Sequence, residues 1–413
     1  MNKLKSFFNT HKVFFYSYPV LLLYNLVLVN NTRMGNIFYS YHSVDFSMGF
    51  CTKLLPGAIY HLLVGVYNHA AIATYVRIVF AIFWLLVCIL FERFYLSVDK
   101  KYKPSALFLF ALLVLGPLSL NMYAREMGML DFYWALFFVI SIFLLKSKIG
   151  KFFIPVLIFA MVLTHYGSIL CYIPALLLII LYLSVTSGSK SEKTQYAVLF
   201  AVGLVVGVAS TAYFLAFEKQ NLTYTVEQFN KVLASRGVEF KDYYDFVFYR
   251  HYEPYVSGTG KDYSFLDIPV VESDSPIKNA INYITYQIKF NIAVTDFKTD
   301  WFIYIITVIL AALLIYLLVK CIKSASKKSQ KVVISLMIAF SPFILCGWVF
   351  SADIVRWLAL VIVSLLFFLF TVTYFGKENV ALKIVGNIIK TVKPKVLAVF
   401  MFVYAFLPYS PYN

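Results

Sequence analysis

Acidic side chains are scarce in this chain. Only 20 of its 413 residues are Asp or Glu, and all charged residues together make up 14%, against about 25% in an average soluble domain. Hydrophobic residues, in contrast, account for 61%. A water-soluble protein of this length has no way to bury that much apolar surface. The low charge therefore excludes an ordinary soluble enzyme and indicates a membrane protein.

Cysteine and the common catalytic motifs are also missing or sparse. The five cysteines show no CxxC spacing, and most lie in apolar runs, so we interpret them as packing residues and predict neither a disulfide framework nor a metal site. The chain contains no P-loop, GxSxG, HExxH or GxGxxG pattern. Since these patterns mark nucleotide-binding and hydrolytic sites, their absence argues against a sugar-nucleotide donor.

What the chain does contain is a series of apolar runs, many about 20 residues long, the length that a bilayer requires of a helix. Backbone polar groups in lipid must be satisfied within each segment. The expected fold class is therefore all-α, a polytopic transmembrane helical bundle of about 11 spans. The spans are expected near residues 13–29, 71–91, 106–120, 131–146, 152–164, 169–185, 196–217, 301–319, 332–350, 357–375 and 396–407.

The net charge of +16 follows from topology and does not indicate a nucleic-acid partner. Lysines are concentrated in alternate connecting loops, as the positive-inside rule requires of cytoplasmic segments. The distribution predicts an integral protein of the bacterial inner or plasma membrane with a cytoplasmic N-terminus. The short outer segments hold few basic residues, namely Arg33, Lys53, Arg125 and Arg356.

One long polar segment interrupts the apolar pattern. Residues 218–300 are rich in Tyr, Asp, Glu and Lys, and we place them on the outer side, where they form a loop or a small cap. The segment separates an N-terminal membrane half, residues 1–217, from a C-terminal set of helices, residues 301–413. A structureless loop of this length is unusual in proteins, so a functional role is expected for it.

Ionisable residues at the outer ends of the spans are candidates for function, because charge beside the hydrocarbon region is costly. The topology puts them at one membrane level but does not show that they converge. The candidates are Asp45 with His42, Arg125 with Glu126, Asp131, His165 with Tyr166, and Asp353 with Arg356.

Each candidate also has a structural explanation. Asp45 is either a general base that takes a proton from an acceptor hydroxyl or a solvated loop aspartate. Asp131 either binds substrate or caps the next span, and His165 is either a base or a satisfied interfacial histidine. Arg356 either binds a lipid phosphate or forms a structural ion pair with Asp353, three residues earlier.

The layout resembles the GT-C superfamily of polytopic glycosyltransferases. In that pattern an acidic residue follows the first span, as Asp45 does here, and a second lies in the outer loop between spans three and four, where the segment REMGMLD offers Glu126 or Asp131. The resemblance implies a polyprenyl-linked sugar donor, a glycan or lipid-linked acceptor, and membrane lipids around the site. The cofactor is undetermined, with a divalent cation expected only if the donor is a pyrophosphate.

With this resemblance, the candidates divide into two groups. The catalytic candidates are Asp45, Glu126 and His165. The substrate-binding candidates are His42, Arg125, Asp131, Tyr166, Asp353 and Arg356.

Two further segments keep alternative functions open. HYGS, at His165, and DIVRW, at Asp353, are similar to sites in bacterial surface-polysaccharide proteins, including polymerases of the Wzy or EpsG type. A polysaccharide-lipid transporter or flippase is the third possibility. Transporters often carry charge at mid-membrane and two related halves, whereas Arg77 is the one clear mid-span charge here and no internal repeat is visible.

The topology is directly testable with single cysteines introduced at Ser257 and Ser326. A membrane-impermeant maleimide added from outside should label Ser257→Cys and leave Ser326→Cys unlabelled, because the lysine asymmetry places Ser326 in a cytoplasmic loop. The parent protein gives the background from its native cysteines. Labelling at position 326 but not at 257 would invert the map.

Overall fold

The computed structural model describes residues 7–8, 10–29, 36–125, 128–217, 221–238, 285, 288–289, 297–350 and 354–407. This part of the chain is nearly all helical and has no β-strand. The α-helices are α1 Lys12–Leu23, α2 Asn36–Tyr41, α3 Leu55–Leu63, α4 His69–Ser97, α5 Lys103–Val114, α6 Met122–Arg125, α7 Leu130–Leu144, α8 Ile154–Thr164, α9 Tyr172–Thr186, α10 Lys190–Phe217, α11 Val226–Ser235, α12 Phe297–Ser324, α13 Lys328–Phe343, α14 Ile354–Gly376, α15 Val380–Thr391 and α16 Pro394–Ala405.

Irregular helical turns extend several of these helices. A π-helical segment continues α1 from Tyr24 to Val29, and a 3₁₀ segment, Ile344–Phe350, continues α13. The 3₁₀ turns Gly150–Phe153 and Tyr166–Leu170 flank α8. Proline lies in the first turn of α5, α8 and α16, where its missing N–H costs no intrahelical hydrogen bond.

Five helical stretches are long and apolar enough to cross a membrane: His69–Ser97, Lys190–Phe217, Trp301–Ser324, Lys328–Gly347 and Ile354–Gly376. Leu130–Leu144, Gly150–Thr164, Tyr172–Thr186 and Pro394–Ala405 are apolar but shorter. The expected membrane-type helical fold is thus found, while the number of about 11 spans stays a prediction.

Helix α14 lies at the centre of the bundle. Of its most apolar 18-residue stretch, 78% is buried, against 33–44% in the other four long helices. A helix that is hydrophobic all round belongs in a core. Large side chains on α10 and α12, such as Val205, Leu215 and Val308, are instead more than 60% exposed, as lipid-facing residues are.

Two short elements do not cross the bundle. The nine residues of α3 are too few to span hydrocarbon. The basic segment after α14 forms α15, an amphipathic helix that buries Leu382 and Val385 and exposes Lys383 and Lys390.

Close backbone packing fixes the loop of residues 42–54, which joins α2 to α3. A Cβ at Gly57, on α3, would lie 1.7 Å from the carbonyl oxygen of Val44. At Gly49, whose φ is +138°, a Cβ would lie 2.4 Å from the carbonyl oxygen of Asn221. The loop is therefore pressed against α3 on one side and against the residues before α11 on the other.

Replacing Gly57 by alanine should displace this loop. No side-chain atom fits between Gly57 and the Val44 backbone, so overpacking is expected to lower the free energy of unfolding by about 1–3 kcal/mol. Thermal unfolding of detergent-purified protein measures the effect. The matched control is Gly188→Ala in an exposed turn, where nothing lies within 4 Å of the new Cβ. Equal stability of the two variants would contradict the packing argument.

Candidate functional site

Asp45 lies at the start of a short 3₁₀ turn, Phe46–Met48, in the loop between α2 and α3. Its Oδ1 accepts a hydrogen bond of 2.8 Å from the Ser47 backbone N–H. The residue is only 5% exposed. Of the two explanations considered for Asp45, the solvated loop aspartate does not fit this burial.

The partner of Asp45 comes from the long polar segment. Arg236, just after α11, places Nη1 2.9 Å from Asp45 Oδ2. The same nitrogen donates a 2.7 Å hydrogen bond to the Ser43 carbonyl, and the Tyr39 hydroxyl donates a 2.9 Å bond to the Arg236 carbonyl. Arg236 thus fastens the C-terminal end of α11 onto the loop of residues 42–54.

Tyr67 completes this cluster. Its ring centre lies 4.2 Å from the Arg236 guanidinium carbon, within the range of a cation–π contact. Its hydroxyl donates a long, 3.4 Å hydrogen bond to Asp45 Oδ2 and lies 2.5 Å from His61 Nδ1. We call Asp45, Arg236 and Tyr67 the latch.

The electrostatics of the latch keep Asp45 ionised. Burial raises its pKa, but the hydrogen bonds from Ser47 and the Arg236 charge together outweigh burial, so that the pKa of Asp45 is lowered from its ordinary value. Burial raises the pKa of Tyr67 to about 12, with the Asp45 charge adding to this and the Arg236 charge opposing it. At neutral pH the latch therefore holds a carboxylate and a neutral phenol.

A second buried ion pair joins the first turns of α7 and α14. Arg356 Nη1 lies 3.1 Å from Asp131 Oδ2, and both residues are less than 10% exposed. Asp131 is not the N-cap of α7, since that position is Met129 and makes no side-chain cap bond. The ion pair between these two residues was among the alternatives for neither of them. The predicted pairing of Arg356 with Asp353 lies outside the described residues.

The first turn of α7 also contacts both predicted histidines. The hydroxyl of Tyr133 lies 2.6 Å from His42 Nε2, and the ring of Trp134 lies 5.6 Å from the ring of His165. Together with Asp131, three residues at the start of α7 therefore reach three other parts of the chain.

His165 ends α8 with a defined ring orientation. Its Nδ1 accepts a 2.9 Å hydrogen bond from the Gly167 N–H, and the Tyr166 ring lies 4.7 Å from its own ring. In a neutral imidazole with Nδ1 accepting, the proton is on Nε2. In this arrangement His165 offers a hydrogen-bond donor.

The structure provides less information on the other predicted site residues. Arg125 ends α6. Glu126 and Asp353 lie outside the described residues. In the part of the chain that is described, no group of three His, Cys, Asp or Glu side chains is arranged to hold a metal ion.

Sequence reasoning missed Arg236, Tyr67, Tyr133 and Trp134. A usable signal existed for Arg236, because it is one of only two arginines among many lysines in residues 218–300. Arginine is the preferred cation for buried, forked ion pairs. From the sequence, Tyr133 and Trp134 were interpreted only as part of an apolar span. Tyrosine and tryptophan are, however, enriched at the ends of membrane spans, where their polar groups meet the interface.

Comparisons of this chain with protein-family models, curated proteins and solved structures gave no match. The fold and the site by themselves define the class of this protein: it is a helical membrane protein with buried ion pairs at helix ends.

The latch predicts a non-additive pair of substitutions. Arg236→Gln leaves the Asp45 carboxylate buried without its cation, and breaking one partner of such a pair typically costs about 3–5 kcal/mol. Asp45→Asn combined with Arg236→Gln removes both charges, so the double variant should be more stable than Arg236→Gln alone. Thermal unfolding measures this cycle. Lys231→Gln, an exposed cation on α11, is the control, and strict additivity would show that the pair is not coupled.

Proposed function

We propose that this chain is a membrane glycosyltransferase that moves a sugar from a polyprenyl-phosphate donor to a glycan or lipid-linked acceptor. The proposal places it in the bacterial inner or plasma membrane, in surface-polysaccharide synthesis, with the latch on the outer face. The observation that carries it is the buried, ionised Asp45 in the loop after the first span, beside an arginine able to bind phosphate. The resemblance to the GT-C pattern supports the same assignment.

In the proposed reaction, the acceptor hydroxyl oxygen attacks the anomeric carbon of the donor. The new bond forms between these atoms, the bond from the anomeric carbon to the phosphate oxygen breaks, and the hydroxyl proton passes to Asp45. The leaving phosphate keeps the electron pair and needs no proton at neutral pH. One carboxylate base therefore suffices, and such a base contributes about 10²–10⁴-fold.

The latch also suggests how the base becomes available. Asp45 Oδ2 is occupied by Arg236, and the hydrogen bonds of Oδ1 and the arginine charge lower its pKa, which weakens it as a base. A donor phosphate offers Arg236 an alternative anion with two oxygens for its forked donors. In our proposal the phosphate takes over Arg236, the pKa of Asp45 rises, and binding of the donor thereby activates the base.

The residues around the first turn of α7 are assigned to substrate positioning. This group contacts the turn or residues next to it and comprises His42, His165, Tyr166, Asp131 and Arg356. In the proposal Arg356 binds a phosphate. Tyrosine and tryptophan rings in the same place suit the apolar faces of sugars.

The remaining candidate residues keep their predicted roles. Glu126 is proposed as a second carboxylate and Arg125 and Asp353 as substrate-binding groups. A divalent cation enters only with a pyrophosphate donor.

The decisive test is Asp45→Asn in proteoliposomes supplied with a polyprenyl-phosphate sugar and a lipid-linked acceptor. Turnover should fall by about 10²–10⁴-fold, because asparagine keeps the size and loses the basicity. Since Arg236 is then left without its anion, Asp45→Asn with Arg236→Gln is assayed in parallel, and it should be equally inactive. Asp99→Asn, an exposed carboxylate elsewhere, should retain full turnover.

The same assay separates the alternatives. Wild-type turnover by folded Asp45→Asn protein would remove Asp45 as base, and His165→Ala would then be examined. Consumption of lipid-linked repeat units in place of single sugars would identify the polymerase, which uses the same chemistry with another acceptor. Movement of lipid-linked sugar without any transfer would identify a flippase and refute the proposal.

A further inference from the structure

A second feature lies at the opposite end of the bundle from the ion pair of α7 and α14. Between the C-terminal parts of α4, α7 and α14 and the side of α5 is an apolar cavity that is partly open to the surroundings. It lies near Lys146, 15 residues after Asp131, which corresponds to about 22 Å along a helix. The cavity is therefore separate from the candidate site.

The cavity walls are mainly aromatic and fixed by ring contacts. The rings of Phe91 and Phe110 stack with centres 3.7 Å apart, and Phe94 meets Phe370 edge to face at 4.8 Å. These contacts join α4 to α5 and to α14. The walls belong to four helices, α4, α5, α7 and α14, that pack without closing the space between them, so the cavity is built into the packing of the bundle.

Two cations stand where the cavity opens. Arg93 and Lys146 both line it and are exposed. The guanidinium carbon of Arg93 lies 4.3 Å from the centre of the Phe143 ring, and Lys146 Nζ lies 3.7 Å from that of Tyr374. Such cation–π contacts hold each charge beside the apolar walls.

The carboxylate next to Arg93 in the chain does not face this opening. Glu92, next to Arg93, is turned to another partner, with its Oε2 3.3 Å from His11 Nδ1. Among the described residues, the ion pairs found involve neither Arg93 nor Lys146. A ligand with an anionic group therefore suits the charge of this cavity.

The length of the cavity and the polarity of its lining together indicate what kind of ligand it binds. The lined stretch of α4 runs over the eight residues from Val87 to Phe94 and covers about 10 Å. This length falls within the roughly 15 Å that one leaflet contributes to the hydrocarbon core. The ligand needs an apolar chain of that reach and an anionic head at its end. Basic pockets between membrane helices bind anionic lipid head groups in this way.

We propose that this cavity binds an anionic phospholipid, with one acyl chain between α4, α5, α7 and α14 and its phosphate between Arg93 and Lys146. A zwitterionic lipid is disfavoured, because its cationic group meets two cations. This proposal does not depend on the sugar-transfer activity.

The test measures lipid bound to the full-length purified protein by native mass spectrometry, with phosphatidylglycerol and phosphatidylcholine as probes. Wild type should retain one phosphatidylglycerol in preference to phosphatidylcholine. The double variant Arg93→Gln with Lys146→Gln should bind phosphatidylglycerol at least about tenfold more weakly, because each basic side chain near an anionic lipid contributes appreciably to the binding free energy. Lys190→Gln with Lys328→Gln removes the same charge from exposed positions and should bind as wild type does.

A second variant tests the apolar part of the cavity. Leu90→Trp places a large ring in its wall while keeping both cations, and it should also lose the bound phosphatidylglycerol. Melting temperatures confirm that each variant is folded, and the charge variants carry the test if Leu90→Trp fails to fold. The proposal is overturned if the Arg93/Lys146 variant binds as tightly as its control or if wild type does not prefer phosphatidylglycerol. Displacement of phosphatidylglycerol by an equal amount of a polyprenyl phosphate would overturn it in favour of an isoprenoid ligand.

Discussion

In the hydrocarbon core of a membrane no water is present to hydrogen-bond the backbone, and this constraint governs most of the fold. Each apolar run satisfies its own N–H and C=O groups as a helix, so charged and polar chemistry is driven to the helix ends. The ion pair of Asp131 with Arg356 shows the result, because both residues lie in first turns. A carboxylate there is favoured by the helix dipole of α7, whereas an arginine is not favoured by that of α14. Asp131 therefore offsets the unfavourable position of the Arg356 cation at the start of α14.

The first turn of α7 links parts of the chain that are far apart in sequence. Asp131 reaches α14, Tyr133 reaches His42 and Trp134 reaches His165. Adjacent helical residues point about 100° apart, so one turn is able to contact elements on several sides. A change in this turn would disturb all three contacts together. Buried ion pairs add little net stability, so we interpret these contacts as fixing the arrangement of the helices.

The sequence predicted the helices well and the contacts poorly, for a physical reason. A helix, Leu130–Leu144, lies where the span at 131–146 was expected, and the long apolar helix Ile354–Gly376 lies where that at 357–375 was expected, because length and hydropathy are local properties. The pairing of Asp45 with Arg236 joins residues 191 positions apart in the chain, and no periodicity encodes it. The same holds for Arg356. Sequence proximity suggested Asp353 as its partner, a residue that lies outside the described part of the chain, and the structure shows an ion pair with Asp131 of another helix.

The latch gives a reason why a buried aspartate can stay charged in the folded protein. An aspartate held by Arg236 and by the Ser47 N–H remains charged in a poorly solvated place. An unpaired carboxylate would not remain charged there. Its lowered pKa means that this contribution to stability is present above the unfolded-state pKa and is lost as pH falls through the folded-state value. A strong ion pair and a strong base are, however, incompatible in one state. A catalytic Asp45 therefore requires Arg236 to exchange partners, and an anionic donor is the kind of ligand that brings such a partner with it.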